Sequence, residues 1–184
     1  AHADGKFASA IDHFEKAIDI NPRYTEAMLN LAVLYNDLGQ YDKSKTLYKQ
    51  LSVRGGKGDS RVEPVLRGKL SNLHADIGDI YRSIGLYGHA IDEYRKALEL
   101  NPTYLDIRTK LGQALREQGR HQESLQELKS VLKTKDTYSP ALIQLGITHY
   151  AMQNISEALK VWRRAIAQDP ENQRARMYLR LCEA

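Results

Sequence analysis

An all-α solenoid of stacked helix-turn-helix hairpins is the fold class this sequence predicts, on three observations. Five segments align: "ADGKFASA" (3–10), "DLGQYDKS" (37–44), "SIGLYGHA" (83–90), "EQGRHQES" (117–124) and "AMQNISEA" (151–158). They pivot on Gly5, Gly39, Gly85, Gly119 and Gln153, at spacings of 34, 46, 34 and 34, the length of a helical hairpin. Between pivots, apolar residues recur at threes and fours rather than alternately, as Leu111, Leu115, Leu125, Leu128 and Leu132 do around Gly119. The third observation is a repeated phrase, "DINPRY" (19–24) and "ELNPTY" (99–104), with "QDPEN" (168–172) in a matching place. In each, proline cannot donate the next helical hydrogen bond and pushes the residue before it out of the helix.

The chain divides into units of about 1–24 (partial), 25–58, 71–104, 105–138 and 139–172, an insertion at 59–70 and a cap at 173–184. The first unit enters at its turn, so its helix from about Lys6 to Ile20 shows Ile11, Phe14 and Ile18 without a partner. An upstream helix is expected to cover that stripe, and without it the stripe predicts homo-oligomers. The second unit places Leu31, Ala32 and Tyr35 before its turn and Tyr48 after it, but lacks the closing phrase. Instead, Gly55, Gly56 and Gly58 predict a mobile loop. Ser60 with Glu63 and Pro64 then predicts a capped helix start. From Leu66 through Leu70, Leu73, Ile77, Tyr81 and Ile84 the stripe is unbroken, so the next first helix is read as longer by about two turns, with Gly68 as a weak point. The later units repeat a hairpin of two helices of about 14 residues each, with small Gly78, Gly112 and Gly146 facing large Tyr94, Leu128 and Trp162. Gln173 onward reads as one more helix, Ala175, Leu179 and Cys182 inward and Arg174, Arg176 and Arg180 outward.

Catalytic constellations are missing. The six histidines are scattered, with no His-Glu-x-x-His pair and no carboxylate cluster at metal spacing. "GGKGDS" lacks both the spacing and the strand of a phosphate loop, and no nucleophile elbow or dinucleotide fingerprint occurs. No catalytic, metal or cofactor site is therefore expected. A single cysteine excludes an internal disulfide and suits a reducing compartment, so a cytoplasmic location is expected. No apolar run reaches the roughly 18 residues of a membrane span. The formal net charge of +4 is modest and interspersed, as on a solvated helical surface.

The stretch "IGDIYRSIGLYGHAIDEYRKALELNP" (77–102) resembles the tetratricopeptide repeat (TPR) family, whose pattern is Leu-Gly, Tyr, a turn Gly, then Ala, an aromatic, Ala and a closing Pro. The likeness extends over almost the whole chain. Departures are Asp136 for the closing proline, His149 for a tyrosine and Gln153 for the turn glycine. The resemblance implies a right-handed superhelix whose concave groove is lined by first helices. The groove residues it marks are Asn30, Val33 and Asp37; Asp76, Asp79 and Arg82; Lys110, Gln113 and Arg116; and Ile143, Gln144, Ile147 and Tyr150.

It implies a protein-interaction scaffold that binds a protein or peptide partner. Along the groove Glu26, Asp37, Asp76, Asp79, Asp106 and Glu117 outnumber Arg82, Lys110 and Arg116, which opposes nucleic acid and favours a segment with basic residues. Ile143, Ile147 and Tyr150 are read as an apolar anchor. The family's carboxylate clamp is missing, since its first positions read Leu29 and Val33, and an asparagine ladder is broken by Asp76, Lys110 and Gln144. Two alternatives stand beside the scaffold: a self-association module, and a non-catalytic arm of a larger enzyme.

Overall fold

The computed structural model describes residues 2–54 and 62–183, and within them the regular structure is entirely α-helical. The helices are α1 (His2–Ile20), α2 (Thr25–Asp37), α3 (Tyr41–Arg54), α4 (Val62–Ser83), α5 (Tyr87–Leu100), α6 (Leu105–Glu117), α7 (His121–Thr134), α8 (Ser139–Ala151), α9 (Ile155–Gln168) and α10 (Gln173–Glu183). First helices α2, α6 and α8 have 13 residues, whereas α4 has 22. The glycine loop and the cap at Ser60 lie outside the described residues.

Two compact units follow one another along the chain, Ala1–Ile77 and Gly78–Ala184. In the first, α1 packs on α2 and α2 on α3. Met28, Ala32, Tyr48, Leu51 and Leu73 form its core, flanked by Ile18, Leu47, Leu70 and Ile77. Ala32 and Ser44 are both fully buried where α2 and α3 come closest, and the Ser44 hydroxyl donates to the Ala32 carbonyl at 2.7 Å. Small side chains at that crossing are what bring a hydroxyl within reach of a neighbouring backbone.

In the second unit α6 pairs with α7 and α8 with α9, and α10 covers α9. Leu125, Leu128, Val131, Leu132, Leu142 and Leu145 form the core, closed at its end by Ala165 and Ala175. Each fully buried leucine contributes about 1.5–3 kcal/mol relative to exposure. Here too the crossings depend on small residues. A Cβ on Gly112 would meet Leu128 Cγ at 2.8 Å, and one on Gly146 would overlap the Trp162 indole.

The hairpin turns share one geometry. The Gln40 N–H donates to the Tyr35 carbonyl at 2.7 Å and the Gly39 N–H to Asn36 at 2.9 Å, with Gly39 at φ 72°. Gln153 closes its turn in the same way at φ 62°, the Asn154 N–H donating to His149 at 2.9 Å. Corners between hairpins recur equally closely. The residue ending the second helix is extended at Asn101 (φ −137°, ψ 88°), Lys135 (−140°, 95°) and Asp169 (−137°, 89°). Proline follows two of these; Asp136 follows the third, and the corner is unchanged. At the last corner Asn172 Oδ1 accepts the Ala175 N–H at 3.0 Å, which caps α10.

Candidate functional site

In Gly78–Ala184 the first-helix residues form a ladder of hydrogen bonds and ion pairs, its two rungs linked by Arg82 of α4, which pairs with Glu117. Its first rung is the last turn of α4. Asp79 Oδ1 accepts the Tyr94 hydroxyl at 2.6 Å and Asp79 Oδ2 accepts Lys110 Nζ at 2.6 Å. Tyr94 is fully buried, and burial together with the Asp79 carboxylate holds its phenol above the ordinary range. Asp79 is thus committed to anchoring one hairpin and joining α4 to α6.

The second rung centres on Glu117. Its Oε1 accepts Gln113 Nε2 at 2.8 Å, lies 3.4 Å from Arg116 and 3.5 Å from Arg82. Arg116 also donates to Gln144 Oε1 at 3.0 Å, and Gln144 Nε2 donates to Gln113 Oε1 at 3.3 Å, which carries the ladder to α8. Burial lowers the Arg116 pKa, with Glu117 acting against it. Two buried atoms of this rung, Arg82 Nε and Glu117 Oε2, have no hydrogen-bond partner among the described residues. Over the two rungs together, Arg82, Lys110 and Arg116 face the two carboxylates of Asp79 and Glu117.

Further along α8 the surface turns apolar. Ile147 and Tyr150 meet Trp162, Tyr178, Leu181 and Cys182 around a cavity of about 220 Å³. The Trp162 and Tyr178 rings stack with centroids 5.2 Å apart, and Tyr150 lies tilted 6.3 Å from the indole. Trp162 Nε1 donates to the Ile143 carbonyl at 3.3 Å, so its polar atom is used within the fold. Ile143 and Gln144 are themselves buried, at 4% and 7% exposure. Ile147 and the exposed Tyr150 line the cavity, whereas buried Ile143 does not.

In Ala1–Ile77 the expected groove residues are looser. Asn30 and Asp37 are exposed, Val33 and Asp76 half-buried. Asn36 Nδ2 approaches Asp76 Oδ2 at 3.5 Å. Glu26 and Asp37 have no ion-pair partner among the described residues. Burial, and after it Asp37, pushes the Tyr48 phenol up to about 12. Tyr35, also raised to about 12, first by burial and then by Glu15, donates to Glu15 at 2.7 Å and ties α2 to α1.

Trp162, Tyr178 and Leu181 were not read as site residues from the sequence. The signal was present: Ala175, Tyr178 and Cys182 lie three and four apart and share one face of α10. Among the described residues no group of three His, Cys, Asp or Glu comes together as a metal site, and no helix is long and apolar enough to cross a membrane.

The repeat geometry agrees with comparisons to known proteins. A tetratricopeptide repeat model matches residues 1–66 and 115–182, and a TPR repeat model matches 78–119. Among relatives, small glutamine-rich tetratricopeptide repeat-containing protein 2 of Mycosarcoma maydis is 28% identical over 97 residues, 53% of this chain and 24% of that protein. The chain thus spans only a fraction of that relative's length. Among solved structures, YrrB, described as a TPR protein with an unusual peptide-binding site, aligns with a TM-score of 0.66 at 19% identity, over 96% of this chain and 85% of its own. The first TPR domain of Spaghetti (RPAP3), solved with the HSP90 peptide SRMEEVD, aligns with a TM-score of 0.58 at 22% identity, over 63% of this chain and 92% of its own. At such identities the structural likeness is one of fold, and it coincides with the turns, corners and small-residue crossings described above: the chain belongs to the tetratricopeptide repeat family.

Proposed function

We propose that this chain is a protein-interaction module, without catalysis of its own, that takes an extended partner segment on its first-helix faces. The observation that carries this reading is the ladder from Asp79 to Gln144. Its polar side chains are held by one another, outside the apolar core, before any partner arrives. Pre-ordered polar groups lower the entropic cost of gripping a flexible chain. The peptide-binding site attributed to YrrB and the HSP90 peptide held by the Spaghetti domain support the same class of function.

Charge refines the partner. In Ala1–Ile77 the acids Glu26 and Asp37 are exposed, and they favour Lys or Arg in the segment that docks there. Such a face repels a phosphate backbone, which needs a run of cations to neutralise it. A single cysteine suits work in the cytoplasm.

Reversal of Asp37 and Asp76 to lysine in one variant tests the charge reading. Binding of a cognate basic peptide, measured by calorimetry, should weaken severalfold, and the difference should shrink as salt rises. Unchanged affinity would sink the charge reading, and failure of the wild type to bind any peptide would sink the module. Asp79 is the wrong position for this test, because its reversal would break the Tyr94 anchor as well.

Self-association is the second reading, favoured by α1, where Phe7 is 42% exposed beside half-buried Ile11 and Phe14. Sedimentation that gives a monomer at high concentration would remove it.

A further inference from the structure

The cavity beneath α10 and the arginines on either side of it form a combination the groove acids do not explain. The cavity walls are Ile147, Tyr150, Trp162, Tyr178, Leu181 and Cys182, with the indole nitrogen already bonded to a backbone carbonyl. These predominantly apolar walls favour an apolar guest. A cavity of about 220 Å³ is ample, since roughly 150 Å³ suffices for a benzene-sized guest.

The surroundings are cationic. At one end Arg116 donates at 3.0 Å to Gln144, one turn before the cavity residue Ile147 on α8, and it belongs to the rung where two guanidiniums share the single carboxylate of Glu117. Arg82 Nε remains unpaired there among the described residues. At the other end Leu181 continues from the cavity into an open groove along α10 that includes Arg176 and the exposed Arg180. Arg176 already pairs with Glu171 at 3.1 Å, which leaves Arg180 as the free cation of that groove among the described residues.

We propose that this cavity is the anchor pocket for an aliphatic or aromatic side chain of an acidic peptide, whose carboxylates lie on Arg116 at one end and Arg180 at the other. The proposal rests on the peptide-binding reading above and names the partner chemistry of its last hairpin. It also divides the molecule's preferences by unit, basic residues for the acids of Ala1–Ile77 and acidic residues here. The apolar pocket fixes the register of the segment, and the arginines select its charge.

Selection of phage-displayed random peptides on the whole chain tests it. The strongest binders should pair a large apolar residue with neighbouring Asp or Glu, and as synthetic peptides they should shift the fluorescence of Trp162, the chain's single tryptophan, which lines the cavity. Tyr150→Ala and Arg180→Gln, both at exposed positions, should each weaken those peptides about tenfold. Arg116→Gln should do the same, and its melting curve reports whether the ladder survives. Binders that are lost with Tyr150→Ala yet are basic, or the absence of any binder that responds to Tyr150→Ala or Arg180→Gln, would overturn the pocket and leave peptide binding standing. Recovery of no binding sequence would overturn both.

Discussion

The imidazole of His149 occupies a place where the family pattern has a tyrosine. It is 8% exposed, its Nδ1 has no hydrogen-bond partner among the described residues, and burial first, then Lys129, pull its pKa below the ordinary value, with Glu157 opposing them. The unfolded chain therefore takes up this proton at a higher pH than the folded one. Stability is complete above about pH 6.5 and is lost as pH falls from there through the folded pKa. His149→Gln should flatten the fall in melting temperature between about pH 7 and pH 5.5, a result read directly by calorimetry at several pH values. Gln153 bears a different cost, since a side chain in the left-handed region loses roughly 1–2 kcal/mol and glycine there recovers most of it. Gln153→Gly should raise the melting midpoint by about 2 °C. The sequence made both positions visible as departures from a pattern. Only the folded chain shows that the first keeps its imidazole buried and that the second keeps the turn.

At the scale of helices, Gly112 and Gly146 occupy corresponding places on α6 and α8 but face different neighbours. Leu128 can rotate away from an added methyl group, whereas the Trp162 indole is held by the Ile143 carbonyl and the Tyr178 stack. Alanine improves helix propensity at both sites by about 1 kcal/mol, and overpacking costs about 1–3 kcal/mol. Gly146→Ala should be the more destabilising of the two, and denaturant titration should place its midpoint clearly below that of Gly112→Ala. Helix positions were legible because turns and apolar stripes repeat, and even the long α4 followed from an unbroken run of leucines and isoleucines. The cavity was not, because it needs Tyr150 from a first helix, Trp162 from a second and Tyr178 from the cap to meet. Their separation along the chain gives no local period to read.

Over the whole molecule, a tally of formal charges on the first helices made the expected groove acidic on balance, with acids outnumbering Arg82, Lys110 and Arg116. Folding divides that tally. Lys110 closes on Asp79, and Arg82 and Arg116 share Glu117, whereas Glu26 and Asp37 stay exposed. Ion pairs across helices depend on stacking, which residue counts do not contain. The corners show what stacking leaves free. Asn101, Lys135 and Asp169 hold the chain within a few degrees of one conformation although their residues differ, and Asp136 serves where its counterparts have proline. Each joint is therefore interchangeable. A duplicated copy of residues 105–138 would meet, at both of its ends, a joint it already fits, so the molecule could lengthen by whole hairpins without inventing an interface. Growth by repetition, with new binding surface gained at each step, is written into three matching pairs of backbone angles.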